Sequence, residues 1–445
     1  MTRLVTIVVL ILSALGAPAG ADEAKRVEFA AAGVSLVLPE GMEPSGEEGV
    51  LAAGADGLRI GWLGFPEPFD GALGALTGRF AAEEGNRETG REAFDLAGRR
   101  GAIVRFAGRS EDAPVERMVF VLGDDAETLA LFAAWPPERS AEFLEPMRAC
   151  FRSALVIPRP LVRVKGASIS LVVPWRYVPA EDFPGFACAE CGASIAVSEI
   201  PGPFSEVRAG MTEPKLAAAG MKLVSREDVT VAGGAGLLLR VEIAFGTAVH
   251  RKWFLLFGDA KHTVALHGSY PREHEDRVAP GLRRALLTAR EGDPPADPLA
   301  ELPFVVEAAP PLAFATALTG AAMFTVGGRI PLADPGDPLF VVAPSLGGEA
   351  PPGDPRAAAR RRLLATKEVG DIKATAIEEL EVAGLHGVEI VARARLSYGG
   401  PPVLLYQLIL FRETGYYLLQ GRVRENDSEE WLPLFRRTAR TFRPR

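Results

Sequence analysis

The chain has 445 residues, of which 48% are hydrophobic and 24% charged, and a formal net charge of −8. Phosphate neutralisation needs a dense basic surface, so this acidic balance excludes nucleic acid as the expected partner. Arginine outnumbers lysine 41 to 8, and with abundant Ala, Gly and Pro this reads as the codon bias of a GC-rich bacterial genome.

The N-terminus reads as a secretory signal peptide spanning residues 1–21. Arg3 supplies the positive end, an apolar stretch from Leu4 to Leu15 follows, and Ala19-Gly20-Ala21 offers a small-x-small cleavage site before Asp22. Those 12 apolar-region residues fall short of the about 20 that a spanning helix needs. Cleavage after Ala21 is expected, with the mature protein in the periplasm or outside the cell and no transmembrane segment after signal removal.

The chain then repeats itself at a spacing of 135 residues. Leu36-Val37-Leu38-Pro39 returns as Leu171-Val172-Val173-Pro174, Phe65-Pro66-Glu67-Pro68-Phe69 as Ile200-Pro201-Gly202-Pro203-Phe204, and Gly123-Asp124 as Gly258-Asp259. Gly98 and Gly101 return as Gly233 and Gly236. A period this long marks duplicated globular domains rather than a solenoid. A third, diverged copy repeats the glycine spacing at Gly384 and Gly387 and carries Leu410-Phe411 where the second has Leu256-Phe257. The expected domains are residues 22–157, 161–290 and 301–445, with a proline-rich linker at 291–300 that acts as a semi-rigid spacer.

Each repeat predicts the same order of elements. A strand opening at 34–38 or 169–173 ends at proline, and a hairpin follows whose second strand lies at 58–63 or 193–197. Helices are expected at 71–82, 206–218 and 355–367. Four antiparallel strands come next, turned at the paired glycines and at Gly123-Asp124. A closing amphipathic helix puts Phe143, Met147, Phe151 and Leu155 on one face, as Trp431, Leu434, Phe435 and Phe442 do in the third repeat. The expected fold class is α+β: tandem antiparallel sheets, each backed by two helices.

With its apolar strand running into Pro-Trp (Val172-Val173-Pro174-Trp175), a helix, glycine-turned hairpins and a closing helix, the chain resembles the PsbP-like and DcrB-like group of exported sandwich domains. Repeat one has Pro39-Glu40 instead of Pro-Trp, and the third lacks the proline-ended strand in clear form. The resemblance implies an accessory or binding module and carries over no active-site residues.

Candidate chemistry is sparse. Gly233-Gly234-Ala235-Gly236 lacks the strand-to-helix context and the Lys-Ser/Thr of a phosphate loop, and its recurrence between strands reads as a hairpin turn. Ser345 has Ala343 where a nucleophile elbow wants glycine, and the only histidine near it in sequence terms, His386, sits inside a glycine turn. Cys188 and Cys191 fall at a hairpin where no helix follows to lower a thiolate pKa, so a local disulfide is the expected state. Metal, redox and free-thiol states remain alternatives, with His250, His262, His267 and His274 as conceivable partners. His262 and His267 differ by an odd number and would point to opposite faces of one strand. Cys150 reads as a small buried hydrophobe. The arginine runs at 360–362 and 436–445 read as a solvated helix face and tail, or as a docking surface for an anionic partner.

No catalytic, cofactor-binding or metal residue is thus singled out. The sequence points to a non-catalytic binding or accessory protein whose partner is an unknown protein or small ligand. The alternatives are an envelope spacer and an unrecognised metal or thiol enzyme centred on the second repeat.

Overall fold

The computed structural model describes residues 26–445 apart from 55–56, 83–85, 111–112, 246–247, 294–296, 319, 331, 346–353, 367–368, 398–399 and 414. The signal segment and Ala21 lie outside the described residues. Contacts divide the chain into two compact units. The first holds the described residues up to Leu161, together with Val172–Arg176 and Glu273–Ala285. The second holds Val162–Leu171, Tyr177–Arg272 and Leu286–Arg445.

Three seven-stranded antiparallel sheets carry the structure. Sheet one comprises β1 (Met42–Pro44), β2 (Val50–Gly54), β3 (Arg59–Phe65), β4 (Arg87–Leu96), β5 (Arg99–Ser110), β6 (Ala113–Gly123) and β7 (Thr128–Trp135). Sheet two comprises β8 (Val178–Pro179), β9 (Gly185–Cys188), β10 (Ala193–Pro201), β11 (Met221–Val231), β12 (Gly234–Phe245), β13 (Ala248–Gly258) and β14 (His262–Pro271). Sheet three comprises β15 (Leu312–Leu318), β16 (Ala321–Val326), β17 (Leu339–Pro344), β18 (Val369–Val382), β19 (Leu385–Leu396), β20 (Pro402–Phe411) and β21 (Tyr416–Arg424). All three share one strand order: first, second, third, seventh, sixth, fifth, fourth.

The hairpin between the fourth and fifth strands is closed each time by an Ala-Gly pair with both residues at positive φ. The values are +51° and +76° at Ala97-Gly98, +53° and +80° at Ala232-Gly233, and +52° and +78° at Ala383-Gly384. Two consecutive positive φ angles define the type I′ turn, whose twist matches that of the flanking strands. The second glycine of each pair in the sequence serves a different purpose. At Gly101 an added Cβ would fall 2.1 Å from the Phe94 ring.

Among the described residues seven α-helices accompany the sheets: α1 (Phe69–Ala82), α2 (Ser140–Arg152), α3 (Phe204–Gly210), α4 (Glu213–Ala218), α5 (Glu275–Leu287), α6 (Pro355–Leu364) and α7 (Ser428–Arg440). In the first unit they lie on opposite faces of sheet one. Phe69, Ala72 and Leu76 of α1 join Val104, Phe106, Val119 and Val121, whereas Phe143, Met147 and Phe151 of α2 join Ile103, Met118, Phe120 and Leu131. Neighbours such as Ile103 and Val104 serve opposite faces because side chains alternate along a strand. Helix α1 contains Gly71, Gly74 and Gly78, each costing about 1 kcal/mol of helix propensity, so it is tertiary packing that holds it. In the second unit α6 covers one face of sheet three through Ala359 and Leu363, and α7 the other through Trp431 and Phe435.

The expected α+β class, with each sheet backed by two helices, is overturned. Strand takes 51% and helix 23% of the structure, and the architecture is mostly antiparallel β. Two physical reasons account for this. The strands running into and out of the Ala-Gly turns extend to between 10 and 14 residues. In sheets one and three, moreover, the helices land singly on opposite faces and form no common backing layer. The single helix expected at 206–218 is also two short ones, interrupted at Met211 and Thr212.

Candidate functional site

Segments far apart in sequence converge on a half-open cavity of about 350 Å³ in the first unit. The Ala97-Gly98 turn delivers Arg99 as the first residue of β5. The turn between β6 and β7 delivers Glu127, because the Asp124 carboxylate accepts the amides of Ala126 and Glu127 at 2.9 and 3.1 Å and fixes that turn. Arg159 comes from the proline-flanked segment after α2, and Arg284 from α5. Aliphatic wall is supplied by Leu122, Leu129, Val156 and Val172.

Trp175 closes one side. Its ring rests on Gly64, where an added Cβ would stand 2.1 Å from the indole Cγ, and its other neighbour is the Arg159 guanidinium, 4.3 Å from the ring centre. Arg176 follows at φ +67°, a conformation that costs a non-glycine residue roughly 1–2 kcal/mol. Its Nε donates to the Gly64 carbonyl at 3.1 Å and its guanidinium lies 4.8 Å over Phe65, which offsets that cost.

The charges are interlocked. Arg284 Nη1 donates to both Asp124 oxygens at 3.0 and 2.8 Å, and its Nη2 reaches Asp125 at 3.1 Å. Arg159 donates to Glu127 at 2.5 Å and to the Val173 carbonyl at 3.0 Å. Burial pushes the Asp124 carboxyl up, but the Arg284 bonds and the two turn amides outweigh it and hold the group below its usual range. Glu127 is only 3% exposed, a burial tolerated by a carboxylate that has its countercharge at hydrogen-bond distance. Arg99 stands apart, reaching Asp124 at 3.6 Å. Three arginines and one carboxylate therefore line the cavity, with Asp124 behind. Among the described residues no serine, threonine, cysteine, histidine, lysine or tyrosine lines the cavity, and its one carboxylate, Glu127, is tied to Arg159, an arrangement that can hold a ligand.

The residues singled out from the sequence lie elsewhere. Cys188 and Cys191 are buried and joined to each other across the turn between β9 and β10, with Cα atoms 5.3 Å apart. The four histidines are dispersed. His262 bridges Asp259 and Glu291 at 3.2 and 2.7 Å, His267 packs against Phe254 with ring centres 4.7 Å apart, His250 lies opposite Ile243 and Pro271 in the ladder, and His274 ends a 3-10 turn. Burial, helped by the nearby Lys252 charge, lowers the His267 pKa to about 4. Among the described residues no group of three or more His, Cys, Asp or Glu side chains is placed to hold a metal. Ser345 Oγ accepts the Tyr416 amide at 3.0 Å, a strand-end role, while Leu346 and Gly347 of its motif lie outside the described residues. His386 pairs with Glu379 at 3.4 Å. Cys150 is buried in α2, its thiol pushed up to about 12 by burial.

The C-terminal arginine run is not a plain solvated tail. Arg436 and Arg440 bind Glu389, 2% exposed, at 2.8 and 3.0 Å, and Tyr406 donates its hydroxyl to the same carboxylate at 3.1 Å.

Sequence reasoning passed over Arg99, Glu127, Arg159 and Arg284. A signal was present: at the 135-residue spacing Asp124 recurs as Asp259, whereas Arg99 and Glu127 become Gly234 and His262. Residues that do not recur are freed from the packing task common to the repeats.

No protein family model matches the chain, and no curated protein matches it. Among solved structures the chain is similar in part to cyanobacterial PsbP from Synechocystis, at 14% identity over 32% of this chain and 98% of that one, with a TM-score of 0.24. It is also similar to the type VI secretion immunity protein TplEi from Pseudomonas aeruginosa, at 13% identity over 64% of this chain and 96% of that one, TM-score 0.26. A third similarity is to the Tle4-Tli4 complex, at 14% identity over 64% and 97%, TM-score 0.25. The likeness to PsbP is a weak similarity of fold. No helix among the described residues is long and apolar enough to cross a membrane.

Proposed function

We propose that the chain is an exported bacterial binding or accessory protein, built as three tandem repeats over residues 22–157, 161–290 and 301–445, that recognises a ligand or partner without chemically altering it. The observation that carries this reading is the cavity of the first unit, where three arginines and the Arg159-paired Glu127 converge around an apolar wall with no hydroxyl, thiol, imidazole or amine side chain among the lining residues. The positions of the sequence candidates favour it over a thiol or metal enzyme. Cys188 and Cys191 are bonded to each other, and Ser345 serves a backbone amide.

The leading candidates for a hidden general acid or base in the second repeat are His250, His262, His267 and His274. Replacing all four with Asn or Gln, and confirming the fold by circular dichroism, should leave complementation of a deletion strain intact. A folded quadruple variant that fails to complement would overturn the non-catalytic reading. Export is read separately, by N-terminal sequencing of envelope-fraction protein. The sequence should begin at Asp22, and a membrane-bound chain beginning at Met1 would refute it.

A further inference from the structure

The cavity's charge balance and walls specify a ligand class, given that the chain is a binding protein. Of the three guanidinium groups, Arg284 is committed to Asp124 and Asp125, and Arg159 to Glu127 and the Val173 carbonyl. Arg99 meets Asp124 only at 3.6 Å, with its side chain 27% exposed, so its planar fork retains donors for one anionic group. We propose that this cavity is a receptor for a monocarboxylate with a short hydrocarbon body, the carboxylate received by Arg99 and the body lying against Leu122, Leu129, Val156 and Val172.

Each part of that description follows from the walls. One planar anion suits one guanidinium fork, since bidentate pairing matches carboxylate geometry. A phosphate dianion would bring a second negative charge toward Glu127 and Asp124, with no uncommitted cation to receive it. A neutral polar ligand would leave the Arg99 charge with only its 3.6 Å pairing to Asp124 once the cavity is dehydrated. The volume of about 350 Å³ holds roughly a dozen waters at about 30 Å³ each, and hence a ligand of comparable heavy-atom number. Such a carboxylate could be a free small acid or the C-terminal residue of a peptide.

The test uses the full chain and isothermal titration calorimetry with four probes: N-acetyl-leucine, N-acetyl-leucinamide, inorganic phosphate, and a pentapeptide of four glycines ending in a free leucine carboxylate. N-acetyl-leucine should bind saturably with a Kd of roughly a millimolar. Binding should weaken by about tenfold or more for the amide, and equally for the Arg99→Gln variant, because a charge-assisted bond is lost in both. Arg99→Lys, which keeps the charge but not the fork, should fall between. Comparable binding of the pentapeptide identifies a chain end as the source, and its exclusion identifies a free acid. The proposal is overturned if the amide binds as well as the acid, if phosphate binds more tightly than N-acetyl-leucine, if Arg99→Gln is indifferent while retaining the wild-type melting curve, or if neither N-acetyl-leucine nor the pentapeptide binds. The broader binding reading is decided by the histidine variant, so the two failures are distinguishable.

Discussion

Replacing Trp175 with alanine should cost the first unit about 3–5 kcal/mol. The side chain belongs to the core cluster of α2 and sheet one and is 9% exposed. A tryptophan buries about 150–250 Å², which at about 25 cal/mol per Å² amounts to about 4–6 kcal/mol. A compact unfolded chain trims that by roughly 10–40%, to the range expected for a large aromatic truncated in a core. That range includes loss of the Arg159 contact at 4.3 Å, itself worth about 0.5–2 kcal/mol. Gly64 supplies an internal control. Its alanine variant drives a methyl group toward the indole, which lies 2.1 Å from the new Cβ position, and should cost about 1–3 kcal/mol. With Trp175 already truncated the ring contacts are gone, although the Cβ that residue 175 keeps still stands 2.6 Å from the new methyl position, so the cost of Gly64→Ala should shrink without vanishing. Urea unfolding followed by far-ultraviolet circular dichroism on the four proteins of the cycle measures the coupling. If the two changes add to within about 0.5 kcal/mol, or if Trp175→Ala costs less than about 1 kcal/mol, the account of this contact fails.

Further outcomes can be checked independently. Because the His267 pKa falls to about 4 in the folded protein against 6.5 ordinarily, the unfolded chain binds the proton more readily, so stability is complete above about pH 6.5 and is lost as pH falls toward 4, by up to about 3 kcal/mol. His267→Phe, the residue the first repeat carries at Phe132, should flatten that part of a stability-against-pH curve. Glu389→Leu should strand Arg436, Arg440 and the Tyr406 hydroxyl and cost about 2 kcal/mol or more in urea unfolding, the arginines being partly exposed and able to recover water. Alkylation followed by mass spectrometry should label Cys188 and Cys191 only after reduction and Cys150 only after unfolding. Replacing both bonded cysteines with serine should change stability by no more than about 2 kcal/mol.

The parts of the fold that were legible in the sequence are those governed by local backbone chemistry. Gly98, Gly233 and Gly384 announced hairpin turns because a positive φ is needed there whatever surrounds it. The helical periodicity of Phe143, Met147 and Phe151 was readable because one face meets one sheet. The class was misjudged because periodicity shows that a segment is helical, not which side of a sheet it will cover. Ile103 and Val104 each sit under a different helix, and nothing in an apolar run distinguishes one face from the other. The cavity was illegible for a further reason. Arg99, Glu127, Arg159 and Arg284 span 186 residues, and arginine in a loop or on a helix reads as solvated surface until a partner carboxylate is placed beside it.

The sequence period and the compact units are out of phase. Residues 172–176 and 273–285, which the period assigns to the second copy, are built into the first unit. Trp175 sits on Gly64 and Arg284 on Asp124. The first unit is thereby latched by later parts of the chain, since it is completed only by pieces synthesised after it. During translation the first unit is incomplete until α5 has been made. A single protease nick in the segment 157–161 would cut the chain without releasing that unit, because the downstream fragment would still own its tryptophan and one of its arginines.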